Sequence, residues 1–140
     1  MCSYCGCEAE PAIQKLMDEH AVIGDLVYRV RAALEAGDAD EAERLTDRLA
    51  DEFERHTLGE EAGLFARMRE AGEALNELDG LLEDHRRLRP ALRERGLTAD
   101  ADRLRATLRA VTRHAEIEDN DLFPYALQLM PDEQWAALAD

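Results

Sequence analysis

HAEIEDNDLFPY, His114 to Tyr125, and its earlier echo HTLGEEAGLF, His56 to Phe65, decide how this 140-residue chain folds. Aligned, the two agree at His56/His114, at Glu60/Glu118, at the acid pair Glu61/Asp119 and at Leu64-Phe65/Leu122-Phe123. Both are copies of HxxxE(D/E)xxLF. Residues i and i+4 lie one above the other on a helix, so each copy aims an imidazole and a carboxylate at one point in space. A helical bundle grips a metal from its inside in this way. A weaker echo precedes each copy: Asp18-Glu19-His20 and Glu83-Asp84-His85 both read acid, acid, His, with an aliphatic, Ile23 or Leu88, three residues on. The order along the chain is His, HxxxE, His, HxxxE, and it uses all 4 histidines the protein has.

Composition agrees with a helical bundle. Hydrophobic residues make up 46% and charged ones 35%, while aromatics are only 5%, the balance of a chain dominated by Ala, Leu, Glu, Arg and Asp. The length suits one domain. A net charge of −15 with a pI near 4.6 repels phosphate backbones and anionic lipid, so neither nucleic acid nor a membrane surface is an expected partner. No apolar run approaches the roughly 18–20 residues of a membrane span. The N-terminus lacks the basic and apolar regions of a signal peptide, so the expected location is the cytoplasm.

The opening MCSYCGC places Cys2, Cys5 and Cys7 in one cluster that uses every cysteine. In a reducing compartment this is not a disulfide framework. Two readings stand: a solvent-exposed tail, or a thiol site that delivers electrons, senses oxidation or takes a metal. Three thiols fall one short of a closed tetrahedral site. We divide the chain into a cysteine-rich tail, residues 1–10, and a bundle, residues 11–140.

Glu10-Pro11 marks the first helix start. Ile13, Leu16, His20, Ile23, Val27, Val30 and Leu34 follow at spacings of three and four, the inward seam of a bundle. Gly37-Asp38 stops that helix, and Asp38 or Asp40 caps the next. The second carries Leu45, Leu49, Glu52 or Phe53, His56 and Glu60 on one side and ends by Gly72. The third runs from about Glu73 to Arg95 with Leu75, Leu78, Leu82, His85, Leu88 and Leu92 facing in and Gly96 closing it; Pro90 predicts a kink just beyond His85. The fourth starts after Thr98 or Asp100 and presents Leu104, Leu108, Val111, His114, Glu118, Leu122 and Tyr125, with Pro124 bending it below the acidic cluster. A short fifth helix follows Met130-Pro131, with the proline at its first position and Trp135 as its anchor. The expected fold class is all-α, an antiparallel up-and-down four-helix bundle with a short C-terminal fifth helix.

Residue numbers alone test that arrangement. In an antiparallel hairpin two residues share a height when they are equally far from the turn. The midpoint of His20 and His56 is position 38, that of His56 and His85 is 70.5, and that of His85 and His114 is 99.5. Each falls at an independently assigned turn, so all four histidines are expected in one layer.

A lone histidine on an apolar seam is more often a hydrogen-bonded core residue than a ligand. Four imidazoles and two carboxylates in one layer are different, because unpaired buried carboxylates cost several kcal/mol apiece. Six such ligands exceed what one tetrahedral zinc needs and suit two ions of the iron or manganese kind, with Glu60 and Glu118 as bridges. The Glu-x-x-His pattern of ferritin-type bundles is absent: Met17, Phe53, Leu82 and Val111 stand three before the histidines. HExxH and CxxCH are absent too, which counts against a zinc peptidase and against attached haem.

The combined pattern, with LFP after the last acid, resembles the hemerythrin-like cation-binding family over about Ile13 to Leu129. The opening MCSYCGC is also similar to the start of some bacterial members. The resemblance implies an up-and-down four-helix bundle around a non-haem diiron centre, held by His20, His56, Glu60, His85, His114 and Glu118. It also exposes a departure. Oxygen-carrying hemerythrins have a fifth histidine one turn from the one on the third helix, where this chain has Leu81 and Arg89. They use a carboxylate five residues after the last histidine, here Asp119; Glu118 is favoured because it repeats Glu60. Water, Glu52, Tyr28 and Tyr125 are the candidates to replace the missing ligand.

The implied function is a diiron protein that reacts with or senses small oxidants (O2, H2O2 or NO), with a catalase-like or scavenging activity as its catalytic form. The alternative is iron storage, delivery or sensing, with Cys2, Cys5 and Cys7 as the handling site. A metal-free interaction bundle is the third reading.

Overall fold

The computed structural model describes residues 10–72 and 75–138. The cysteines Cys2, Cys5 and Cys7, the expected helix start at Glu73, and the side chain of Leu75 lie outside the described residues. The chain is all-helical, with no strand among the described residues. Its helices are α1 (Pro11–Glu35), α2 (Ala39–Glu60), α3 (Ala66–Glu70), α4 (Leu75–Ala91), α5 (Ala101–Ile117), α6 (Phe123–Leu129) and α7 (Asp132–Leu138).

Local chemistry sets the ends. The Glu10 carboxylate accepts from the Ala12 N–H, and Pro11 occupies the first turn, where its missing N–H is not needed. Gly37 takes φ 72°, a conformation open to a residue without Cβ, and Asp38 N–H then donates back to the Ala33 carbonyl at 2.9 Å. The Asp38 side chain caps α2, accepting from Glu41 N–H at 3.1 Å, so Asp38 and not Asp40 is the cap. Asp100, rather than Thr98, does the same for α5 at 3.2 Å from Arg103 N.

Several boundaries depart from expectation. The second helix is not one regular α-helix: a wide π turn, Glu61–Phe65, separates α2 from α3. The fourth contains the same device at Glu118–Leu122, between α5 and α6. Pro124 falls in the first turn of α6. The Phe123 N–H there reaches back five residues to the Glu118 carbonyl, a widened turn that eases the clash a proline ring makes in a regular α-helix. The third helix ends at Ala91, not Arg95, with Pro90 in its last turn instead of kinking a longer rod. The fifth begins at Asp132, and Pro131 precedes it with its carbonyl accepting from Gln134 N at 3.0 Å. Trp135 is buried, as an anchor should be.

The apolar seams gather into two clusters. One holds residues from Ile23 to Ala33 of α1 with Leu49, Phe53, Leu88, Leu104, Leu108 and Val111. The other holds Ile13, Leu16 and Met17 with Phe65, Leu78, Phe123 and Trp135. Phe53 takes the inward place in preference to Glu52, and Leu81 is more deeply buried than Leu82. Tyr125, expected to face in, is 37% exposed. Cross-helix contacts orient α4 against the second rod: Arg93 meets Asp51 at 2.8 Å, Arg89 meets Thr57 at 3.1 Å, His85 meets Glu61 at 2.7 Å, and Arg69 meets Asp79 at 3.4 Å. Numbers rise along one rod as they fall along the other. Leu104 is fully enclosed, so Leu104→Ala is expected to cost about 2–5 kcal/mol of stability in urea denaturation. Tyr28→Ala, at a side chain 72% exposed, is expected to stay within about 0.5 kcal/mol.

Candidate metal centre

Between the two apolar clusters lies a layer made of the six side chains singled out from the sequence. His20, His56, Glu60, His85, His114 and Glu118 are all buried, and both glutamates are 0% exposed. Their ligand atoms form two groups, His20-His56-Glu60-Glu118 and Glu60-His85-His114-Glu118, each gathered within 4.8 Å. Both carboxylates belong to both groups. Glu118 turns one oxygen to each half: Oε1 lies 2.8 Å from His20 Nε2 and 3.7 Å from His56 Nε2, while Oε2 lies 3.0 Å from His114 Nε2 and 3.4 Å from His85 Nε2. Glu60 Oε1 stands between His56 Nε2 at 3.5 Å and His85 Nε2 at 3.4 Å.

The four inward nitrogens are all Nε2 because every Nδ1 is held from outside by a carboxylate. His20 Nδ1 lies 2.8 Å from Asp119, His56 Nδ1 2.7 Å from Glu19, His85 Nδ1 2.7 Å from Glu61, and His114 Nδ1 3.1 Å from Asp84. An acceptor-only carboxylate puts the proton on Nδ1 and leaves the Nε2 lone pair facing in, as outer carboxylates do for metal-binding histidines. Sequence reading did not assign these four roles, although the signal was present. Glu19 and Asp84 are the acids directly before His20 and His85, and Glu61 and Asp119 are the second acids of the two long motifs. Asp119 thus stands outside the layer and Glu118 within it.

Aromatic rings finish the layer. Phe65 stacks on His85 at 5.4 Å with the planes 9° apart, and Phe123 stacks on His20 at 5.8 Å and 17°. These are the phenylalanines that close the two HxxxE(D/E)xxLF copies. Phe53 presents its edge to both His85 and His114.

Electrostatics separates the two glutamates. Burial and the neighbouring Glu118 carboxylate push Glu60 well above the usual carboxyl range. Burial also opposes ionisation of Glu118, but His114, His20, His56 and His85 outweigh it and hold Glu118 well below that range. Burial works against a charged His20, yet Asp119 and Glu118 raise it to about 9. His114 is raised in the same way by Glu118 and Asp84 against its burial. The Nε2 atoms of His85 and His114 face one another at 2.9 Å. With both Nδ1 protons committed outward, a hydrogen bond between them requires an imidazolium.

The donor set fits a cation on a further count. His56 Nε2, both Glu60 oxygens and Glu118 Oε2 are buried without any hydrogen-bond partner, and groups of this kind rarely stay unsatisfied inside a protein. Cations held by the two donor groups would give these atoms partners.

The position of the missing fifth histidine is filled by groups that do not ligate. Leu81 is buried in the apolar cluster beside the layer. Arg89 turns outward from the centre, with Nη1 2.5 Å from Glu61 Oε2 and 3.1 Å from Thr57 Oγ1. The Arg89 and His85 hydrogen bonds overcome the burial of Glu61 and hold it below its ordinary value. Of the proposed substitutes, Tyr28 is on the surface and Glu52 is engaged with Arg55.

No helix among the described residues is long and apolar enough to cross a membrane. No curated protein and no solved structure matches the chain. A family model described as the hemerythrin HHE cation binding domain matches residues 12–126, a span that contains all six converging side chains. On that match, the chain belongs to the hemerythrin HHE cation-binding family.

Proposed function

We propose that the chain is a non-haem diiron protein that reacts with or senses small oxidants (O2, H2O2 or NO), its centre held by His20, His56, Glu60, His85, His114 and Glu118. We read the helices around it as an antiparallel up-and-down four-helix bundle, a reading supported by the opposed numbering of the contacts between α4 and the second rod. The observation that carries the proposal is the sharing of both carboxylates between two four-donor groups. Two histidines and shared carboxylates per ion leave coordination positions open, the arrangement non-haem iron uses to meet oxygen. Two ferrous ions in such a site supply the electrons that reduce dioxygen or peroxide.

The chain's own residues prepare the site. Glu19, Glu61, Asp84 and Asp119 keep the Nδ1 protons in place and so orient the rings. The apolar clusters on either side exclude bulk water. Glu60 must give up its proton before it can bridge, and His20 and His114 must give up theirs before they can ligate.

Metal analysis of the purified protein is expected to give two iron ions per chain. Anaerobic reduction followed by titration with O2, H2O2 and NO should change the spectrum with at least one of them. A reduced centre that responds to none of the three overturns the proposal.

Proton release supplies a second test. His20 is neutral in its metal-bound form, but its value in the metal-free protein is raised to about 9 from an ordinary 6.5. Metal affinity is therefore expected to climb as pH rises from 6 to about 9, with protons appearing in weakly buffered solution. Metal-free stability moves the opposite way. The part due to His20 is complete below about 6.5 and is lost as pH rises through about 9, which thermal melts across that window will register.

The two glutamates are expected to differ in sign. Glu60→Gln removes a carboxyl whose ionisation burial opposes, and should leave metal-free stability at neutral pH unchanged or higher by about 1–3 kcal/mol. Glu118→Gln removes the carboxylate that balances the imidazoles and should lower it by a similar amount. Both variants should lose the stabilisation that added iron confers.

A further inference from the structure

Along the outer face of α5 the charge balance of the protein is inverted. Acidic residues outnumber Lys and Arg 32 to 17 in the whole chain. Yet a recess of about 920 Å³ between α1, α4 and α5 carries Arg31, Arg87, Arg109 and Arg113 against two acids, Asp84 and Glu116. Ten of the sixteen arginines lie within 4.0 Å of a carboxylate. Of the six without such a partner among the described residues, three line this recess: Arg31, Arg109 and Arg113.

The spacing deepens the anomaly. Arg105, Arg109 and Arg113 follow one another at intervals of four, which stacks like charges on one face of a helix and destabilises it. No acid stands three or four positions from Arg109; those places are Arg105, Ala106, Thr112 and Arg113. Arginines in such surroundings have donors to spare, and a guanidinium presents them in the forked geometry that grips oxyanions. Ala110 and Ile117 supply an apolar wall. The volume lies within the roughly 300–1,000 Å³ typical of small-molecule sites, more than one inorganic phosphate fills.

We propose that this recess binds a small phosphorylated polyanion, gripped by Arg109 and Arg113 from α5 and by Arg31 from α1. The inference does not depend on the diiron reading, because the guanidinium groups that grip the anion belong to none of the six residues of the centre, although His114 lines the inner wall of the recess. It does touch the metal centre. Asp84 lies 3.3 Å from Arg87 and 3.1 Å from His114 Nδ1, so an anion that draws Arg87 to itself weakens the hold of Arg87 on the carboxylate that orients His114.

Calorimetric titration of the full chain with pyrophosphate and with ATP tests this. The protein is kept metal-free, so that phosphate coordination to iron cannot contribute. Saturable binding is expected, weakening as salt is added. R109A/R113A should lower the affinity by at least about tenfold, while R48A, at an exposed and equally unpartnered arginine on α2, should leave it unchanged. Equal affinity for pyrophosphate and ATP identifies the phosphate chain as the ligand, and binding of ATP alone identifies a nucleotide. Absence of binding at millimolar concentration in low salt, or equal affinity in R109A/R113A and the parent chain, overturns the proposal. Circular dichroism and melting of the double variant, whose substituted residues are exposed, separate loss of the site from loss of the fold.

Discussion

Four imidazoles face one another in a buried layer only because each is held from behind by a carboxylate on a neighbouring helix. The contacts run in a closed circle. Glu19 of α1 holds His56 of α2, and Glu61, just past α2, holds His85 of α4. Asp84 of α4 holds His114 of α5, and Asp119, just past α5, holds His20 of α1. Every link therefore ties two helices together and fixes a tautomer at once. A buried ring without such a partner costs about 1–3 kcal/mol in lost hydrogen bonding and points its lone pair nowhere in particular. The circle joins bundle geometry to the direction of the donor atoms.

The same constraint accounts for where the chain widens. In each long motif two adjacent acids do different work: Glu60 and Glu118 face the layer, while Glu61 and Asp119 reach sideways to the next histidine. Both π turns begin at one of these acid pairs, at Glu61 in one rod and at Glu118 in the other. The first turn ends on Leu64-Phe65 and the second on Leu122, directly before Phe123 of α6, all buried, bringing the phenylalanines back onto His85 and His20. Proline does not explain both turns, since only the second rod to widen carries one near the turn, at Pro124. What the two share is the motif itself. Wide turns of this kind recur at functional sites because they re-aim side chains that a regular helix sends elsewhere.

Much of this was legible in the residues, and the limits have physical causes. Spacing in a helix has a fixed period, so the seam and the level of His20, His56, His85 and His114 could be worked out from numbers. Turn chemistry is local, so Gly37-Asp38 and Asp100 marked their boundaries. The π turns were not legible, because no side chain prefers a five-residue bond over a four-residue one; the demand comes from neighbouring helices. The same holds for Leu81 and Leu82, where a tertiary rotation of α4 chose the first over the second. A regular period carried through to Tyr125 puts it inward, but the π turn at Glu118–Leu122 breaks that period. A proline inside a helical pattern predicts a kink, but at Pro90 the helix simply stops one residue on.

The surroundings of the outer carboxylates show most clearly where pattern ends and packing begins. The donor set and its outer carboxylates repeat from one half of the chain to the other, but the residues around those carboxylates do not. Positions two and four after His85 are Arg87 and Arg89, which pair with Asp84 and Glu61; the same positions after His20 are Val22 and Gly24. Phe53, three before His56, lays its edge on His85 and His114, whereas its counterpart before His114 is Val111. The His20 side borders a groove of about 370 Å³ between α1 and α5, lined by Met17, Val27, Thr112 and Asp119. The His114 side borders the larger recess of about 920 Å³, so two halves with equal donors are unequal in charge and in what surrounds them. Two guanidinium groups stand behind the carboxylates that hold His85 and His114, and Phe53 packs against both rings, so the two halves are electrostatically distinct before any ligand arrives. That inequality comes from residues outside the repeat, placed beside it only by the packing of neighbouring helices.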